Sequence, residues 1–365
     1  MKKLVFAAVI MGIIFSATYF YYDYTRTYEL IINTDEDSYV FTLRHNEVIP
    51  NIEIPQKEGY LFAGWYTDHA RTEPFLNTTM PKYNVSLYPD WGSEGLHFLK
   101  VGNNYTVFSG TSSANHIVIP KRHQGSLITS IGYQAFTHRE TLEMITIPNT
   151  IETIEARAFF LTSHLTEVIF EADSVLRVIG DNAFSYSKIQ QFHVPKSVEV
   201  IGSEAFLVND ALTVFRLEED SQLQSIGVRA FYGSENLMSI LIPETVTSIG
   251  SQAFSFCLNL TTVTISPNSV LESIGNYAFS YTILNEIYLP NHVHTIGEYA
   301  FYNTRLIALY IPLSVETIGQ RAIVSSQSFL FTSIYVVTDS KPENWANNWN
   351  SESYNVVWGA PSRDE

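Results

Sequence analysis

One six-residue pattern, I-G-x-x-A-F, governs the chain from Ile131 onwards and constrains its fold more than any other feature. The aromatic position falls at Phe136, Phe159, Phe184, Phe206, Phe231, Phe254, Phe279 and Phe301, with Ile323 in the ninth place, giving steps of 23, 25, 22, 25, 23, 25, 22 and 22 residues. A unit of this length cannot bury its apolar side alone, so such units stack into a solenoid with one continuous core. Long and short units alternate. Short ones carry a proline after an L-x-x-I-x-I strand, at Pro148, Pro195, Pro243 and Pro290. Long ones read Ser174-Val175-Leu176, Ser221-Gln222-Leu223 and Ser269-Val270-Leu271 before the Ile-Gly pair.

Within the unit that starts at Leu142, a period of two points Ile145 and Ile147 to one face and Met144 and Thr146 to the other, the pattern of a short half-buried strand. Pro148 has no amide hydrogen to continue a ladder and ends that strand. The glycine of the Ile-Gly pair, at 132, 180, 202, 227, 250, 275, 297 and 319, suits either a positive φ or close approach of the next coil, and Glu155 replaces it in the second unit. Alanine lets coils stack, and each phenylalanine ring then packs beneath its neighbour. In this register Phe231 lies between Phe206 and Phe254.

These units resemble the BspA-type leucine-rich repeats of bacterial surface proteins. The resemblance implies a curved, right-handed solenoid, mainly β, with a parallel sheet on its concave side and irregular turns outside. The tail from Ser340 to Trp345, with Trp349 and Trp358, resembles the ending of such arrays, and we read it as a cap over the last apolar coil.

Upstream, Tyr28 to Asn33, Tyr39 to Leu43, Gly59 to Tyr66 and Val85 to Trp91 alternate as short strands between turns. The residues Gly59, Tyr60, Phe62, Gly64, Trp65, Tyr66 and Asp68, then Leu87, Tyr88 and Trp91, resemble the Listeria-Bacteroides repeat, also called the internalin B-type repeat. That resemblance implies a small β-grasp-like spacer. Asp35, Glu36 and Asp37 stand where the family has a glycine-rich turn. Trp65 and Trp91 read as core rings of this module rather than as a sugar platform.

At the amino terminus, Lys2 and Lys3 precede an apolar run from Leu4 to Tyr22, close to the ~20 residues that cross a bilayer as a helix. The lysines are expected inside and everything after Asp23 outside, with Tyr19 to Tyr22 as an interfacial belt. A cut after Ala17 would put Phe15 where a small residue is wanted, so an uncleaved anchor is the expectation; cleavage would make the protein secreted.

The net charge of −16 disfavours nucleic acid as a partner. The single cysteine, Cys257, provides neither an internal disulfide nor a zinc cluster, and it reads as a partly buried small residue. His292 and His294 have no third ligand nearby, and the run Glu218-Glu219-Asp220 reads as a solvated turn, so no metal and no cofactor is expected. There is no phosphate loop, no H-E-x-x-H and no G-x-S-x-G, and the chain does not read as an enzyme.

What remains is recognition on the solvent-facing strand positions. Aligning the units gives one outward column from Met144 to Ser333 and a second from Thr146 to Tyr335. Tyr288, Tyr310 and Tyr335 follow one another in the second column, beside Glu286 in the first, and form the candidate ligand-binding ladder. The expected organisation is an anchor over 1–27, the β-grasp-like module over 28–92, the repeats over 93–337 and a cap with tail over 338–365. The expected role is a cell-surface protein that binds an extracellular protein. The alternative is a carbohydrate-binding or envelope-scaffold module.

Overall fold

The computed structural model describes residues 25–34, 37–69, 71, 73–266, 268–324, 333–350 and 355–361. The expected membrane segment, 4–22, lies outside them, and among the described residues no helix is long and apolar enough to cross a membrane. The secondary-structure elements among them are all strands, in two compact units, residues 1–92 and 93–365.

The first unit is a four-stranded sheet of β1 (Thr27–Asn33), β2 (Ser38–Arg44), β3 (Tyr60–Tyr66) and β4 (Val85–Ser93), ordered β2-β1-β4-β3. β1 and β2 form an antiparallel hairpin, and β4 runs parallel to β1. Alternation along β1 buries Tyr28, Leu30 and Ile32, which meet Leu43, Met80, Val85 and Leu87 in a small core. Residues 45–59 cross between β2 and β3 without regular structure beyond bridges from Val48 to Thr79 and from Lys57 to Tyr60. Phe41, Ile52 and Trp65 pack against this core, and Trp91 is buried.

The second unit is a solenoid of parallel coils, and its unbroken sheet differs in place from the one the sequence suggests. The continuous ladder runs through the two residues before each glycine, or before Glu155 in its place: Thr153–Ile154, Val178–Ile179, Val200–Ile201, Ser225–Ile226, Ser248–Ile249, Ser273–Ile274, Thr295–Ile296 and Thr317–Ile318. The L-x-x-I-x-I strands pair only in short groups, for example Met144–Ile147 with Glu167–Phe170, Gln191–Val194 with Val214–Leu217, and Ser239–Ile242 with Thr262–Ile265. The pairing thins after Glu167–Phe170, Val214–Leu217 and Thr262–Ile265, the strands of the three long units. Between strand and glycine the long units carry two extra residues, which offset each strand from its successor.

The turns around each phenylalanine are regular rather than irregular. In every coil the residue two before the ring position has positive φ, from Gln134 to Arg321, and in most the residue two after it does as well. The two conformations alternate, so backbone N–H groups point alternately within the coil and towards the next one. In the Phe231 coil, Ala230, Tyr232 and Ser234 donate to carbonyls three residues back. Arg229, Phe231 and Gly233 donate to the carbonyls of Ser251, Ala253 and Ser255 in the following coil. The six donors from Arg229 to Ser234 are thereby satisfied.

This ladder brings the rings into one column. Phe136 to Phe301 stack with centroids 5.0 to 5.6 Å apart. Phe231 lies 5.3 Å from Phe206 and 5.2 Å from Phe254, nearly parallel to both. Of the two readings left open for the Ile-Gly glycine, close approach is the one observed: a Cβ on Gly227 would meet the carbonyl carbon of Gly202 at 2.5 Å, and on Gly250 that of Gly227 at 2.5 Å. The positive φ angles sit two residues further on.

Cys257 is wholly buried, not partly, and its equivalents in other coils include Ser187 and Asn209. Three residues after each ring from Phe159 to Phe301 the coils carry Thr162, Ser187, Asn209, Ser234, Cys257, Thr282 and Thr304, all buried. Most bond a phenylalanine carbonyl: Thr162 to Phe159 at 2.7 Å, Ser234 to Phe206 at 2.9 Å, and the Cys257 thiol to Phe231 at 3.1 Å. Burial pushes that thiol far above the usual cysteine range.

At the carboxyl end, Trp345 and Trp349 are buried and pack edge to face, with Trp358 beside them. The carbonyls of Asn348 and Trp349 accept from Arg321 and Ile323, as a further coil would, and Asn355–Trp358 extends the strand group of Ser333–Val336. This segment therefore caps the array, and its tryptophans are structural.

Candidate ligand-binding face

The outward columns hold where the strands pair: Met144 opposes Glu167, His193 opposes Arg216, Leu241 opposes Thr264, and Tyr310 opposes Tyr335. Most members are exposed. Ser333 is the exception, buried and within 3.3 Å of the Asn355 side-chain amide, because Asn355–Trp358 covers that side of the sheet.

The structure stacks two of the candidate tyrosines and places Glu286 on a cleft that one of them shares. The rings of Tyr310 and Tyr335 stack at 4.5 Å and 11°, since parallel strands place equivalent side chains about 4.8 Å apart. Tyr288 shares their register position, but its coil contributes only an isolated bridge, from Glu286 to Thr262. All three tyrosines are half-buried rather than exposed, while Glu286 is exposed. Glu286 and Tyr310 line one open cleft of about 320 Å³ with Thr262, Asn285, Ile307 and Ala308. The pair Tyr310–Tyr335 with Glu286 is thus the compact part of the site, and Tyr288 stands apart from it in the backbone pairing.

A second aromatic surface escaped the column reading. On the turn edge, Tyr232 leans on Phe256, Phe256 stacks on Tyr281 at 4.5 Å, and Tyr281 meets Tyr302 edge to face. Tyr302 also meets Tyr299, which stacks on Tyr277 at 4.7 Å. All six rings are half-buried. Phe256, Tyr277, Tyr281 and Tyr299 hold left-handed backbone, which costs a bulky residue on the order of 1 kcal/mol and which Gly233 adopts freely in the coil before Phe256. Burial raises the Tyr277 and Tyr281 phenols above the ordinary tyrosine range, helped by Tyr299 and Glu298 for the first and by Tyr302 for the second. These residues sit two before, one after and two after the core ring in different coils, so no single column reads as aromatic. The signal available in the sequence was the clustering of Tyr277, Tyr281, Tyr299 and Tyr302 around two adjacent A-F steps.

His292 and His294 are exposed, and no group of three His, Cys, Asp or Glu side chains able to hold a metal occurs among the described residues. Glu218 accepts the Lys196 backbone N–H at 2.9 Å in an exposed turn.

Comparison with known proteins places these features in context. Residues 24–89 match the Listeria-Bacteroides repeat domain. Among solved structures, the pneumococcal vaccine antigen PcpA is 19% identical over 74% of this chain and 96% of its own, with a TM-score of 0.41. A leucine-rich repeat protein from Bacteroides ovatus is 19% identical over 73% and 70%, with a TM-score of 0.47. A leucine-rich cell surface protein from Faecalibacterium prausnitzii is 19% identical over 75% and 96%, with a TM-score of 0.39. No curated protein matches the chain. Six copies of the BspA type leucine-rich repeat region match across 103–213 and 208–329, more than half of the sequence, and coincide with the stacked coils. The chain belongs to the BspA-type leucine-rich repeat family of bacterial surface proteins.

Proposed function

We propose that this protein is a non-catalytic binding protein of the bacterial cell surface, held to the membrane by residues 4–22 or secreted if that segment is removed. In this reading the β-grasp-like module is the spacer, and the solenoid recognises an extracellular protein through Tyr288, Tyr310, Tyr335 and Glu286. The observation that carries it is the parallel pair Tyr310–Tyr335 beside a cleft that also holds Glu286. Two rings stacked face to face each spend one face on the other. They leave edges and hydroxyls for a partner, which suits a protein hot spot better than a sugar ring.

The test begins with capture of a ligand by residues 93–365 from the organism's surroundings, followed by affinity measurement of Tyr310→Ala. Loss of one such ring at the centre of an interface costs about 2 kcal/mol, roughly thirtyfold in Kd. The matching control is Thr264→Ala, exposed in the same column; Thr146 serves less well because its hydroxyl lies 3.1 Å from His116 Nε2. Equal affinity for both variants, each with the parent's melting temperature, overturns the assignment.

A further inference from the structure

One open cleft lies not in the solenoid but in the first unit. It encloses about 720 Å³ between the core face of the sheet and the irregular segment 51–58. Its floor continues the core, with Ile32, Phe41 and Ile52, and its walls include Tyr39 and Ile54, which remain 55% and 52% exposed. Aliphatic and aromatic surface of this extent, left open inside a concavity, is a feature of binding sites.

Three further observations define what would fill it. First, the rim carries the exposed carboxylates of Asp37, Glu53 and Glu58, which make no ion pair among the described residues. The chain's own Lys57 ammonium stands 5.1 Å over the Tyr60 ring and 5.5 Å over the Trp91 ring, and leaves those three carboxylates unpaired. Second, Trp91 lines the cleft while 8% exposed, and its indole Nε1 is buried without a hydrogen-bond partner among the described residues. Its ring adds to the apolar wall of the cleft. Third, β2, which supplies Tyr39 and Phe41 to the cleft, is an edge strand that among the described residues pairs only with β1. A free edge offers backbone donors and acceptors to an added strand.

We propose that the first unit binds an extended basic peptide. Its backbone pairs along β2, one lysine or arginine side chain lays its aliphatic stem on Tyr39, Phe41 and Ile54, and its charge meets Asp37, Glu53 and Glu58. The module is then a recognition element in its own right and not only a spacer.

The test uses the full chain and three labelled hexapeptides: alternating valine and lysine, alternating valine and glutamate, and the lysine peptide N-methylated at alternate residues. The lysine peptide binds, and the other two bind at least tenfold more weakly. Glu53→Gln with Glu58→Gln weakens the lysine peptide about fivefold and flattens its salt dependence. Tyr39→Ala removes an exposed ring of the cleft wall, weakening it about fivefold. Melting temperature shows that both variants fold. Equal binding of the lysine and glutamate peptides, equal binding of the N-methylated peptide, or unchanged affinity in the folded carboxamide variant overturns the proposal.

Discussion

Replacing Phe231 by alanine tests the solenoid register where its consequences are largest. The ring is fully buried, lies parallel to Phe206 and Phe254, and takes the edge of Phe215 at 4.8 Å. Truncating such a ring costs about 3 to 5 kcal/mol, towards the upper end because three aromatic contacts are lost together. The neighbouring coils cannot close over the gap, since the ladder from Phe206 to Ala230 and from Phe231 to Ala253 fixes their spacing. With an unfolding entropy of roughly 2 cal/mol/K per residue, a unit of this size loses about 5 to 9 °C of melting temperature. Each coil contacts only its neighbours, so the damage also divides the array, and two transitions are expected in place of one. Circular dichroism melts of the parent, Phe231→Ala and Phe231→Leu measure this, with the leucine variant intermediate. A Phe231→Ala transition within 1 °C of the parent would refute the stacked register.

Two further perturbations address the coil's other columns. Gly227→Ala places a Cβ 2.5 Å from the backbone of Gly202 and should lower stability by about 2 kcal/mol or more, whereas Gly233→Ala, whose nearest neighbour is 3.4 Å away, should lose only the ~1 kcal/mol of its left-handed backbone; urea unfolding of both decides, and equal losses would refute the close-approach reading. Cys257 should resist a thiol reagent at pH 8 until the chain unfolds, and Cys257→Ser should stay within about 1 kcal/mol of the parent because serine makes the same carbonyl bond at Ser234; rapid labelling of the folded chain would show that the column is open.

The period and chemistry of the repeat determined the solenoid, the stacking of Phe136 to Phe301 and the buried faces of Ile145 and Ile147, because a residue every 22 to 25 positions has one place to go in a stacked coil. The strands of the first unit were legible to within a residue or two, as alternation and turn residues mark them. Which strand column would stay continuous was not legible. That depends on how two extra residues in each long unit offset one coil from the next, a property of accumulated register and not of any local pattern. Likewise the sequence placed tyrosines in one outward column, but only the fold decides that Tyr310 and Tyr335 stack while Tyr288 belongs to a coil joined by a single bridge. The turn-edge rings from Tyr232 to Tyr302 and the cleft beneath residues 51–58 are assembled from positions that share no sequence period. Periodicity reports which side chains a coil must bury; the surfaces that remain are set by the distances between coils and strands, and those exist only once the chain has closed on itself.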